Sequence, residues 1–283
     1  MTTEIWTVLK ILTWTKEYLA GKGVDNARLE AEWLLSSALG LDRVGLYVNF
    51  DKPLTDAELA LFRGMVTRRA RREPLQYILG TQEFMGMEFE TTTAALIPRH
   101  DTETLVEEAV KRGEGAKKVL DIGVGSGCIA IALAKKLPGA EVFGVEQSAA
   151  ALELAMRNAA KHGAVVTMVN GSLFEPFSGE RFDLIVSNPP YIPTAEIAAL
   201  QPEVRDYEPC DALDGGPDGL DFYRSIIPAA PEHLDSGGWL LFEVGIGQAG
   251  QVLELFAGTG RFEELFTAKD PAGIERVVGG RLM

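Results

Sequence analysis

With 283 residues and 46% hydrophobic composition, the chain is long enough to bury a sizeable core in one large or two ordinary domains. No apolar run approaches the ~20 residues of a membrane-spanning helix, and the start, with Glu4 and no basic stretch, is unlike a signal peptide. A soluble, cytoplasmic protein with no membrane partner is therefore expected. Net charge is −14, yet residues 1–80 hold 11 Lys/Arg against 10 Asp/Glu, so the rest holds 16 against 31. Such an acidic remainder argues against a direct nucleic-acid substrate, whose phosphates call for cations.

The first ~75 residues read as helical. Ile5, Trp6, Leu9, Leu12, Trp14, Tyr18 and Leu19 carry one helical run that Gly21 and Gly23 break, and a second helix is expected from about Asn26 to Ala38, before Gly40. A third starts at Thr55, where Thr55-Asp56-Ala57-Glu58 has capping-box spacing, and ends before Pro74. The cluster Arg63, Arg68, Arg69, Arg71 and Arg72 is better read as a solvated helix face than as a docking surface for an acidic partner or RNA. Residues 76–101 then form a connector, with a short hairpin at Thr81–Phe84 and Met87–Glu90. Asp101 or Thr102 is placed to cap a helix running to about Lys111, and Pro98-Arg99 to border a site.

From Lys117 strands and helices alternate, the pattern of a doubly wound sheet. A strand, Val119–Ile122, runs into Gly123-Val124-Gly125-Ser126-Gly127, where glycines let the backbone turn sharply and approach a ligand. The next strand ends at Glu146, placed to accept both hydroxyls of a ribose. A third strand, Val165–Val169, leads to Asn170-Gly171-Ser172-Leu173-Phe174. The fourth, Phe182–Ser187, ends at Asn188-Pro189-Pro190-Tyr191. Two prolines fix φ and remove two amide donors, leaving carbonyl acceptors, to which Asn188 adds a side-chain carbonyl and Tyr191 a flat face. Such a loop suits a planar nitrogen with two N–H bonds, an amide or the exocyclic amine of a base. Residues 192–219 are longer than an ordinary connection and read as a lid or binding surface, with Glu208, Asp211 and Asp214 facing basic groups on a partner. Trp239–Val244 gives a fifth strand, and Phe262–Phe266 with Ile274–Val278 an antiparallel closing pair.

Two cofactor classes fit a glycine loop followed by a carboxylate, a nicotinamide dinucleotide or S-adenosylmethionine. The dinucleotide fingerprint wants glycine where Cys128 stands, and no Cys, His or Lys is presented for hydride chemistry, so the Asn-Pro-Pro-Tyr loop tips the choice to the methyl donor. Cys128 and Cys210 read as small packing residues, and with three histidines and no C-x-x-C neither a disulfide framework nor a metal site is expected.

The glycine loop, Glu146 and the tetrapeptide together resemble a class I S-adenosylmethionine-dependent methyltransferase. Adenine-N6, guanine-N2 and protein-glutamine-N5 methyltransferases share the tetrapeptide. Arg72–Gly80, Ile97–Glu103 and Glu208–Leu220 are similar to the HemK/PrmC family, whose members methylate the glutamine of the Gly-Gly-Gln loop in class I peptide chain release factors. The resemblance implies an α/β fold, a Rossmann-like seven-stranded sheet, preceded by a small helical bundle. Its domains would be 1–75 for substrate recognition, 76–101 as connector and 102–283 for catalysis. It further implies that Gly123, Val124, Gly125, Ser126 and Gly127 line the methionine part of the cofactor, Glu146 binds the ribose, and Ser172 and Leu173 meet the adenine. Asn188, Pro189, Pro190 and Tyr191 would act on the substrate, Asn188 at the border with the cofactor, and S-adenosylhomocysteine would be the product. The family more often has Asp at positions 146 and 172; Glu reaches further, whereas Ser is shorter and uncharged.

Overall fold

The computed structural model describes residues 5–283; the Glu4-bearing start lies outside the described residues. Helix α1, Val8–Ala20, begins at Thr7, whose hydroxyl accepts from the Lys10 amide. Helices α2 (Ala27–Leu39) and α3 (Arg43–Val48) follow, the latter capped by the Asp42 carboxylate. Helix α4, Asp56–Ala70, has both bonds of the expected capping box between Thr55 and Glu58. A short helix, α5 (Leu75–Leu79), closes the series at Gly80. Their apolar faces meet in one core that includes Val8, Leu19, Leu34, Leu35, Leu46, Phe62 and Ile78. Neither α3 nor α5 was visible in the sequence, since five or six residues are too short to show a 3.6-residue period.

Hairpin strands β1 (Thr81–Phe84) and β2 (Met87–Glu90) have the expected bounds and pair antiparallel around Met85-Gly86. The chain continues through α6 (Glu103–Arg112), β3 (Lys118–Ile122), α7 (Cys128–Lys136), β4 (Glu141–Glu146), α8 (Ala149–His162), β5 (Val166–Asn170) and β6 (Phe182–Ser187). Then come α9 (Pro202–Arg205), α10 (Asp221–Ala229), β7 (Leu234–Glu243), α11 (Ala249–Thr259), β8 (Phe262–Lys269) and β9 (Glu275–Leu282). Seven strands form one sheet in the order β5-β4-β3-β6-β7-β9-β8, parallel up to β7, with β9 antiparallel to both β7 and β8. The Rossmann-like sheet and the antiparallel closing pair are thus present. Its parallel strands are hydrophobic on both faces and fill two cores, one against α10 and α11 and one against α6 and α7. After β3 the chain builds outward through β4 and β5, then crosses back to β6 on the other side. The crevice beyond the carboxyl ends of β3 and β6 is therefore where an open α/β sheet holds its ligand.

By its internal contacts the chain divides into two compact units, Met1–Gly80 with Gln201–Tyr207, and Thr81–Leu200 with Glu208–Met283. In the first unit α9 supplies Glu203, whose carboxylate pairs with Arg69 at 2.9 Å and Arg72 at 2.7 Å. Arg69, which is buried, also pairs with Glu30, and Arg68 with Glu73. Three members of the arginine cluster are therefore engaged within the unit, which corrects the picture of a uniformly solvated face; Arg63 and Arg71 are exposed.

Candidate functional site

Strand β3 delivers the glycine loop to the crevice. Gly123, Gly125 and Gly127 all have positive φ (81°, 56° and 86°). Gly127 cannot be replaced without cost, because it caps α7 in the left-handed conformation and a Cβ there would press on Ile131 and Ala155. Val124 and Ser126 are buried, while the Gly123 backbone is exposed. At the tip of β4, Glu146 accepts from the Gly125 amide through one oxygen and from the Ser148 amide through the other, both at 2.9 Å. A carboxylate oxygen carries two lone-pair sites, so each retains capacity for a hydroxyl donor.

Strand β6 delivers the tetrapeptide beside it. The Ser187 hydroxyl donates to the Ile122 carbonyl at 2.7 Å and ties the two strand ends together. Glycine loop and tetrapeptide line a single cavity of about 480 Å³, whose wall includes Gly123, Val124, Gly125, Ser126, Glu146, Leu173, Asn188, Pro189 and Pro190. That volume lies within the roughly 300–1,000 Å³ of small-molecule sites. The residues present therefore fit a nucleoside-bearing methyl donor: exposed glycine backbone, a carboxylate at the second strand tip, an apolar Leu173, and acceptors at the far end. Of the remaining candidates, Gly127, Ser172 and Tyr191 are not part of this wall. Gly127 stands behind the loop, and the Ser172 hydroxyl accepts from the Gln147 side chain at 2.6 Å, which makes Gln147 the wall residue on that side.

Tyr191 is turned away from the cavity towards a buried polar cluster. Its hydroxyl faces Glu243 Oε1 at 3.5 Å, at the end of β7. Burial and the Glu243 charge push the Tyr191 phenol above its ordinary range, so it stays neutral. Burial also pushes the Glu243 carboxyl up to about 7, and that of Asp121, under the glycine loop, to about 7. Cys128 is buried and driven up to about 12, which leaves it an inert packing residue. Cys210, by contrast, is exposed rather than packed.

Several wall and supporting residues were not read from the sequence. Asp101 or Thr102 was expected as a helix cap; Thr102 does stand at the N-cap position of α6, but no side chain makes a capping bond there. Thr102 is buried and accepts from Asn188 Nδ2 at 3.3 Å, while Asp101 pairs with Arg276 at 2.7 Å. Pro98 and Arg99 do border the cavity. Glu208, expected to face a partner, is buried, paired with Arg99 and accepting from the Ile97 amide; Asp214 is held by Thr194 and the Gly216 amide. The long segment after the tetrapeptide acts as its brace. Ile192 bonds to Leu213 and Gly215 through the backbone, and the Gln248 amide donates to the Tyr191 carbonyl at 2.9 Å.

The PrmC N-terminal domain family matches residues 10–80 and the methyltransferase small domain family residues 99–201. The release factor glutamine methyltransferase of Geobacter sulfurreducens is 70% identical over 279 residues, covering 99% of this chain and 98% of that one. Its counterpart from Moorella thermoacetica is 44% identical, covering 91% and 92%. Among solved structures, a methyltransferase from Pyrococcus furiosus has 19% identity and a TM-score of 0.52, covering 76% of this chain and 98% of that one. The hMettl16 catalytic domain bound to MAT2A 3′UTR hairpin 1 has 17% identity and a TM-score of 0.56, covering 76% and 80%. These two share the fold.

Proposed function

The chain belongs to the release factor glutamine methyltransferase family, and from that premise we infer that it moves a methyl group from S-adenosylmethionine to the side-chain amide nitrogen of the Gly-Gly-Gln glutamine in class I peptide chain release factors. The observation that supports this reading most is the shared cavity, whose wall holds the Asn188-Pro189-Pro190 acceptors together with the glycine loop and Glu146.

When bound, S-adenosylmethionine supplies a positively charged sulfonium methyl, an electrophile strong enough for a weak nucleophile. An amide nitrogen is such a nucleophile, because its lone pair is delocalised. The Asn188 side-chain carbonyl and the Pro189 backbone carbonyl accept its two hydrogens and hold the nitrogen towards the methyl donor. Positioning of this kind supplies on the order of 7–11 kcal/mol in well-oriented systems. The same acceptors stabilise the positive charge that develops on nitrogen, an oxyanion hole with its sign reversed. As the N–C bond forms and the C–S bond breaks, the nitrogen becomes acidic and releases its proton to water, leaving methylated glutamine and S-adenosylhomocysteine. No dedicated base is required, in keeping with a Glu243 that sits behind the tetrapeptide and outside the cavity wall.

Among the described residues no helix is long and apolar enough to cross a membrane, and an enzyme that modifies release factors works in the cytoplasm, beside translation. The helical unit is the natural recognition module for the body of the substrate protein, and Asp211, on the cavity wall, a contact for basic groups next to its loop. The test is transfer of labelled methyl to a purified, unmethylated class I release factor, with a Gln→Ala loop variant, duplex DNA and bulk RNA alongside. Label confined to the intact loop is expected; label on nucleic acid alone would overturn the substrate while leaving the cofactor reading in place.

A further inference from the structure

At the tips of β4 and β5 two side chains meet where the sequence marked only one. Ser172, expected to meet the adenine, is not part of the cavity wall, whereas Gln147 is. Gln147 Nε2 donates to Ser172 Oγ at 2.6 Å, and no described residue donates to Gln147 Oε1. The backbone beneath them is pinned. Asn170 Nδ2 donates to the Glu146 and Gln147 carbonyls, both at 2.9 Å, the Gly171 amide donates to the Glu146 carbonyl at 3.0 Å, and the Glu146 carboxylate holds the Ser148 amide. Gln147 thus follows directly on the carboxylate placed for the ribose and shares the wall with the apolar Leu173.

We propose that Gln147 is the residue that recognises the base of the cofactor, its Oε1 accepting from the adenine 6-amino group, with Ser172 a positioning residue that holds the amide by its Nε2. The inference rests on the S-adenosylmethionine reading above. A glutamine amide carries an acceptor on one arm and a donor on the other, so fixing one arm fixes what the other offers. The exocyclic amine of adenine is a donor, and with Nε2 on Ser172 the arm left over is an acceptor. In the reverse orientation Nε2 would face the amine, two donors opposed, so the bound base keeps the orientation seen.

The two residues act as one unit. Serine is short and lies outside the wall, so its hydroxyl reaches the base only through Gln147, while Gln147 without Ser172 is a long side chain free to rotate. Gln147 is exposed, and its replacement removes no buried contact, so variants at this position keep the fold.

The experiment measures, by calorimetry, the binding of S-adenosylhomocysteine and of its analogue with hydrogen in place of the 6-amino group to full-length wild type, Gln147→Ala, Gln147→Glu and Ser172→Ala. Wild type should bind S-adenosylhomocysteine on the order of 10-fold more tightly than the analogue, the scale of one hydrogen bond. Gln147→Ala should lose that factor and bind the two ligands alike. Gln147→Glu keeps an acceptor and should keep the preference, whatever its absolute affinity; Ser172→Ala, which frees the amide to rotate, should keep only part of it. A Gln147→Ala that retains the wild-type preference would overturn the proposal, as would a wild type that shows none. A preference lost in Ser172→Ala yet kept in Gln147→Ala would also overturn it, by giving the base to Ser172 directly. Wild type that binds neither ligand would instead remove the cofactor reading, and the proposal with it.

Discussion

At the scale of single residues, the reaction hangs on one side-chain oxygen. Asn188→Ala removes an acceptor that matters most as positive charge develops, so kcat should fall on the order of 10²–10³-fold, the loss typical of one preorganised transition-state group. Cofactor affinity, measured by calorimetry, should change little, because Glu146 and the glycine loop are untouched. Near-normal turnover on purified release factor would defeat the account. A second residue-scale consequence concerns Asp121, fully buried beneath the glycine loop, with one oxygen accepting from the Ala130 amide and the other without a partner. Desolvation lifts its carboxyl from 3.8 to about 7, so the fold prefers the neutral acid. The folded state then holds a proton that the unfolded state has released, and the stabilisation, complete below 3.8, is lost as pH rises through about 7. Urea unfolding at pH 4 to 8 should show that decline in the wild type and a flatter profile in Asp121→Asn; matching profiles would mean that Asp121 is not the group responsible.

At the scale of elements, what could be read from the sequence was whatever is encoded locally. The glycine loop, Glu146 and the tetrapeptide each follow a short β-branched or apolar run, so strand, turn chemistry and site position could be read together. The sheet's closing pair was legible for the same reason. Thr102, Glu243 and Gln248 were not, because their meaning depends on partners 86, 52 and 57 positions away in the chain. Thr102 ahead of a helix resembles a cap, and only the fold shows its hydroxyl spent on Asn188. Gly219 is another such case. With φ of +77°, it lies so close to the tetrapeptide that a Cβ would overlap the Tyr191 carbonyl oxygen and crowd the Gln248 amide that binds it. Gly219→Ala should therefore lower the melting temperature and displace the Asn188 acceptors, reducing kcat far more than cofactor affinity. Gly139→Ala, where a Cβ meets open space, is the control. Equal activity of the two variants would show that the brace behind Tyr191 does not matter.

At the scale of the whole chain, the segment after the tetrapeptide leaves the catalytic unit at Leu200 and rejoins it at Glu208, and in between belongs to the helical unit. What fixes it there is Glu203, one carboxylate shared by two arginines, of which Arg69 is buried and also held by Glu30. Tyr207 adds a bond from its hydroxyl to the Arg71 carbonyl at 2.8 Å. With Arg69 buried, such a pairing contributes little net stability, since desolvation offsets the attraction, but removing one partner strands the other. Glu203→Ala leaves Arg69 with Glu30 as its one carboxylate, beside the Glu73 carbonyl, and takes from Arg72 its carboxylate. Leaving a buried donor unmade costs about 1–3 kcal/mol, and here the loss falls on the helical unit. The amides of Arg205 and Asp206, which close the turn of α9 onto Gln201 and Pro202, should exchange faster with solvent in Glu203→Ala than in wild type. Because Arg69 is buried and Glu203 largely shielded, the difference should persist better in high salt than that of an exposed pair, which would be screened. Unchanged exchange at those amides would mean that apolar packing, and not the shared carboxylate, holds residues 201–207 in the helical unit.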